Sequence, residues 1–75
     1  MGQLSKDEAS QITVDFLKKL KNTEKIEVMF TEMKDNCWVV SGTTPIEFGE
    51  SQWPERFTVM IDSKGKIKVS NFRLL

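Results

Sequence analysis

The hydrophobic period of this chain changes once, and that change does most to limit the folds open to it. Up to Lys21 the apolar residues recur at helical spacing: Ala9, Ile12, Phe16 and Leu20, with Leu17 widening the stripe. Beyond Asn22–Thr23–Glu24 the period becomes two. In "KIEVMFTEM", Ile26, Val28 and Phe30 alternate with Glu27, Met29 and Thr31, the signature of a half-buried strand. One amphipathic helix followed only by strands must lay its apolar stripe on a sheet.

The helix start is written in "SKDE". The Ser5 hydroxyl can accept from the Glu8 amide while the Glu8 carboxylate reaches back to the Ser5 amide, a capping box. Leu4 and Ala9 stand where a hydrophobic staple would place them. Asp7 and Glu8 suit the positive end of the helix dipole, and Lys18, Lys19 and Lys21 the negative end.

After the first strand, Lys34–Asp35–Asn36 is turn chemistry. "CWVVSG" reads as a second strand with Trp38 and Val40 inward. "TTPIEFGESQWPE" carries Pro45, Gly49 and Pro54 and reads as a long connection with a short edge segment at Ile46–Phe48. "RFTVMID" turns Phe57, Val59 and Ile61 inward, and "KIKVSNF" does the same with Ile67 and Val69. The expected fold is α+β: a single domain over residues 1–75, with one N-terminal helix packed across an antiparallel sheet of about four strands.

Composition narrows function by exclusion. The chain has 75 residues, 11 Lys plus Arg, 11 Asp plus Glu and no histidine. A nucleic-acid partner is not expected, because such domains usually carry a positive excess. Without histidine the commonest general base and the commonest zinc ligand are both missing, and no serine or cysteine has that base to activate it. Cys37 stands alone, so an internal disulfide is excluded, and it reads as a small buried hydrophobe. The N-terminal "MGQLSKDEAS" holds no apolar run. The expectation is therefore no membrane span, and a cytoplasmic location unless the chain is the trimmed form of a secreted protein. Gly2 does not fit the myristoylation pattern, because Lys6 stands where serine or threonine is needed.

Two stretches resemble sites. "DSKGK", Asp62 to Lys66, lacks the second glycine and the following helix of a phosphate-binding loop. It fits a hairpin turn, with Asp62 opening a type I turn and Gly65 supplying a left-handed residue. Glu47, Glu50 and Glu55 cluster in the long connection near Asp62, but as solvated charges rather than a paired-carboxylate site. The lysines at 18, 19, 21 and 25 and those at 64, 66 and 68 read as a solvated helix end and a charged strand edge. No catalytic residue, metal ligand or cofactor is assigned.

The second face of the sheet is the unusual feature. With one helix covering one side, the alternating residues should be polar. They read instead as Met29, Met33, Val39 and Met60, joined by Thr31 and Thr58. Methionine suits a surface that repacks against a partner. Either the long connection folds back over this face with Ile46, Phe48 and Trp53, or the face pairs with a second copy or another protein; a bare face is the remaining reading, since apolar patches that large seldom stay exposed.

The helix, "NCWVVSG" and "RFTVMIDSKGKIKV" together resemble a PepSY-type domain, cystatin-like in the broad sense. Phe57, Val59, Ile61, Asp62, Gly65 and Lys66 match, in order, its closing hairpin of aromatic–x–Val–x–Ile/Val–Asp–x–x–Gly–Lys. The resemblance implies a non-catalytic domain with a peptidase-inhibitory or partner-docking role, and carries over no functional residue. Sequence alone thus leaves a small interaction module, a homodimer or a protein partner being its expected contact. The rival is a ligand-binding domain or minimal enzyme that uses residues 43–55 as a lid.

Overall fold

The helix α1 (Lys6–Lys21) begins at the capping box expected for it. The Glu8 amide donates to Ser5 Oγ at 3.1 Å and the Ser5 amide to Glu8 Oε1 at 3.0 Å. Asn22 ends it in the left-handed region, at φ 53°. The computed structural model describes residues 4–74, apart from the side chains of Glu47 and Phe48; Gly2 lies outside the described residues. The buried stripe is Ala9, Thr13 and Leu17, flanked by half-buried Ile12 and Phe16, while Leu20 stays 53% exposed. Thr13 is tolerated there because its hydroxyl donates to the Ala9 carbonyl at 3.0 Å. Two small residues at the contact let the helix sit close to the sheet.

Four strands follow: β1 (Glu27–Lys34), β2 (Cys37–Phe48), β3 (Ser51–Ile61) and β4 (Ile67–Leu74). They form one antiparallel sheet in the order β1-β2-β3-β4. The fold is therefore α+β, a single N-terminal helix against an open four-stranded antiparallel sheet. Each connection is a tight hairpin. Asp35 and Asn36 both have positive φ, 51° and 65°, the requirement of a two-residue type I′ turn. Gly49, at φ 60°, opens the second turn in the manner of type II′. In the third, the Gly65 amide donates to the Asp62 carbonyl at 3.0 Å and the Asp62 amide to the Lys66 carbonyl at 2.9 Å. Gly65 takes φ 87°, as its place in the expected turn requires.

The long connection expected over residues 43–55 is a hairpin instead. β2 and β3 stay in register to Phe48↔Ser51, with Pro45 directly opposite Pro54. Neither proline has an amide hydrogen, so theirs is a non-hydrogen-bonded pair with both nitrogens pointing away from the partner strand. On those sides nothing is left to bond: β1 pairing begins at Glu27↔Thr43 and β4 pairing ends at Glu55↔Leu74. The prolines therefore sit where a two-stranded ribbon leaves the four-stranded sheet. The molecule measures 47 × 19 × 17 Å. A 16-residue helix spans only about 24 Å, so the end of the ribbon extends beyond it.

Two irregularities reassign side chains between faces. The β1–β2 register shifts between Val28 and Phe30, leaving Met29 as a bulge. Beyond it Thr31 lies opposite Val40 and Met33 opposite Trp38, which places both on the helix side, since opposed residues share a face. Thr31 is buried and hydrogen-bonded to Ser10, Oγ to Oγ1, at 2.9 Å. Phe30 moves to the outer face, 44% exposed. A similar shift beside Ile61 leaves Lys68 unpaired and puts Val69 opposite Met60, also outside. Thr31 and Met33 are thus not part of the outer surface expected for them, and Phe30 and Val69 are not core.

The core is Val40, Phe57, Val59 and Ile61 against Ala9 and Leu17. Two contacts pin the helix ends over it. Trp38 Nε1 donates to the Leu4 carbonyl at 2.8 Å. At the other end Lys21 Nζ lies 2.6 Å from Glu55 Oε1 and 4.1 Å from the Phe72 ring centroid. Between these ends, a Cβ on Gly42 would overlap the Glu27 carbonyl oxygen and stand 2.8 Å from the Phe57 ring. Replacing Gly42 by alanine should cost about 3 kcal/mol, read as a lower urea midpoint at unchanged slope. The face assignment has its own check: Phe57→Ala should cost about 3–5 kcal/mol, whereas Phe30→Ser should change stability by less than about 1 kcal/mol. Equal losses would mean that Phe30 is core after all.

Candidate functional site: the uncovered sheet face

The outer face is organised in rows running across the strands. The apolar row holds Val39, Met60 and Val69, with Glu32 at its β1 end. Next comes Phe30, Ser41, Thr58 and Asn71. The third row is Glu27, Thr43, Arg56 and Arg73. Phe30 and Val69 are 44% and 42% exposed, and Val39 and Met60 are half-buried. Phe30, Ser41, Arg56, Thr58, Asn71 and Arg73 help to line a shallow cavity of about 490 Å³. Ser41, only 4% exposed, belongs to that cavity's lining.

Of the surface expected from the sequence, Val39, Thr58 and Met60 lie on this face, and Met29 sits at its rim as the bulge residue, 60% exposed. Thr31 and Met33 lie on the other side. The loop residues do not cover the face. Ile46 and Trp53 are a cross-strand pair on the helix side of the ribbon, Trp53 being 51% exposed; the Phe48 side chain lies outside the described residues. Phe30, Val69 and Arg73, which a strict alternation does not find, complete the face with Arg56, which it does.

Charge on the third row is divided. Arg56 and Arg73 are directly opposed across β3 and β4, an arrangement of like charges that is unfavourable by itself. Among the described residues the one ion pair is Lys21–Glu55, so neither arginine has an acid within reach. Glu27 shares their row, but at ordinary strand spacing it stands about 14 Å from Arg73.

Other groups with chemical potential serve the fold. Asp62 Oδ1 accepts from the amides of Lys64 and Lys66, each at 2.9 Å. The Lys66 amide first, and then that of Lys64, hold its carboxyl below the ordinary carboxylate range, with the Lys68 and Lys66 ammonium groups adding to the effect and desolvation opposing it. Glu8 is lowered in the same way by the Ser5 amide and hydroxyl. Glu55 is held beside Lys21, although the approach is not that of a hydrogen bond, and the Thr44 hydroxyl opposite it is buried without a partner. A second cavity, of about 410 Å³, lies between the C-terminal end of α1 and the ribbon, lined by Lys21, Asn22, Thr23, Lys25, Pro45 and Ile46. Among the described residues no three His, Cys, Asp or Glu side chains form a metal-sized group, and no helix is long and apolar enough to cross a membrane.

No family model, curated protein or solved structure matches this chain. Phe57, Val59 and Ile61 are core, Asp62 and Gly65 build the turn, and Lys66 is exposed.

The turn chemistry makes a pH prediction. A carboxylate whose native pKa is depressed contributes stability above its unfolded pKa and loses it as pH falls through the native value. Unfolding midpoints should therefore decline between about pH 5 and pH 2, and Asp62→Ala should decline less steeply over that window. An Asp62→Ala profile parallel to the parent would show that the turn carboxylate plays no part.

Proposed function

We propose that this protein is a non-catalytic docking module whose working surface is the uncovered sheet face. The observation that carries the reading is the row of Val39, Met60 and Val69 on β2, β3 and β4, with Phe30 of β1 in the next row and, among the described residues, no helix or loop over it. An apolar strip on a folded surface generally marks an interaction site. The ribbon of residues 43–55 extends the sheet rather than closing over it, which favours docking over a lidded ligand site. Three acidic groups serve the fold: Asp62 its turn, Glu55 the contact with Lys21 and Glu8 the helix cap.

Photo-crosslinking tests the reading. Benzoylphenylalanine at position 30, expressed in cells, should give a discrete protein adduct. Excess unlabelled parent protein should compete with it, and Met60→Lys should not. The same probe at Lys18, on the exposed side of α1, should give none. No adduct at position 30, or equal adducts at both positions, would overturn the proposal.

A further inference from the structure

The three rows distinguish possible occupants of the outer face. Two copies packed face to face can be related by a dyad lying parallel to the strands or across them. A dyad across the strands either sets the apolar row, Val39 and Met60, against the polar row, Ser41 and Thr58, of the other copy or, run along the apolar row, carries the row of Glu27 and Arg73 away from its counterpart. A parallel dyad sets each row on itself in reverse order. Val39 then meets Met60 of the second copy, apolar on apolar, Glu32 comes over Val69 at the margin, and β1 of one copy lies over β4 of the other. In the third row the same operation brings Glu27 of each copy to Arg73 of the other, with Arg56 alongside. Each opposed arginine pair gains an acid that it does not meet among the described residues of its own chain.

We infer, resting on the docking reading above, that the occupant is a second copy of this chain. The two outer faces pack about a dyad parallel to the strands, with Glu27 of each copy paired to Arg73 of the other. Such a contact is isologous and closed, so it ends at two copies. Aligned sheets pack about 10 Å apart, within reach of glutamate and arginine side chains meeting from opposite sides. The dyad also brings Lys34 towards Lys66 of the second copy; both are exposed at hairpin ends, where solvent weakens the repulsion. The face spans roughly 25 × 15 Å at ordinary strand dimensions. The pair therefore buries on the order of 800 Å² in total, below the standard size and in the range of weak, transient contacts.

Sedimentation equilibrium on the full chain, from about 5 to 500 μM, tests this, since weak interfaces dissociate in that range. The parent chain should pass from monomer to dimer. Arg73→Glu and Glu27→Arg each remove both symmetry-related charge pairs and should weaken dimerisation at least about tenfold, with far-ultraviolet circular dichroism confirming that both remain folded. The double variant should recover, and an equal mixture of the two single variants should form the heterodimer that neither makes alone. A parent that stays monomeric throughout, or a mixture that fails to associate, would overturn the inference, as would single variants that dimerise like the parent. The crosslink at position 30 separates the two failures. An adduct with a different protein in cells, together with a monomeric parent, removes the second copy and leaves the docking reading; no adduct of any mass removes both.

Discussion

The start of β1 passes so close to β2 that only glycine fits at position 42, and the two faces of the sheet follow from that passage. The Glu27 carbonyl occupies the space a side chain at Gly42 would need, above the Phe57 ring. Just beyond, the strand takes an extra residue at Met29. A bulge bends its strand and raises the local twist, which is what a strand leaving such a close approach requires. The extra residue also reverses which side chains face the helix. Thr31 then meets Ser10 beneath α1, and Phe30 is sent outward. A single backbone adjustment thus gives the core a hydroxyl pair and the outer face its aromatic ring.

A sheet of this length needs its helix held at both ends, because a core of six fully buried apolar residues is small. Trp38 holds the N-terminal end through the Leu4 carbonyl, and Lys21 holds the other through Glu55 and the Phe72 ring. Both contacts join side chains to groups that would otherwise be partly desolvated and unpaired, so they fix helix placement as much as they add stability. Between them the small residues Ala9 and Thr13 set the distance of approach.

Much of this was legible in local chemistry. The capping box from Ser5 to Glu8, the turn from Asp62 to Gly65 and the inward set Val40, Phe57, Val59 and Ile61 each follow from signals within a few residues. Face assignment along β1 was not, because alternation counted forward from Ile26 carries no mark of an extra residue. Counting back from Asp35–Asn36 as a two-residue turn is more informative: it sets Met33 opposite Trp38 and Thr31 opposite Val40, as observed. A turn sets register at its own end of a strand, and a bulge breaks the inference from the other end. Pro45 and Pro54 misled for a related reason. Read singly, each argues against a strand; read as an opposed pair at the margin of the four-stranded region, they are compatible with one.

The same irregularities bear on how such a sheet meets other molecules. Open sheets associate most readily by their edges, where unpaired amides and carbonyls invite another strand. Here β1 is interrupted by Met29, β4 by the shift at Lys68, and the ribbon beyond them carries a proline on each strand. Each interruption leaves a shorter regular run for a foreign strand to extend. The outer face has no comparable obstruction through its middle, where Val39 and Met60 sit side by side. No charge stands among Val39, Met60 and Val69: Glu32, Glu27 and Arg73 lie at row ends, and Arg56, inside the third row, stands two rows from that strip. Disrupted edges and a clear central strip leave the face as the more regular surface, with Glu27 and Arg73 separated by the width of the sheet.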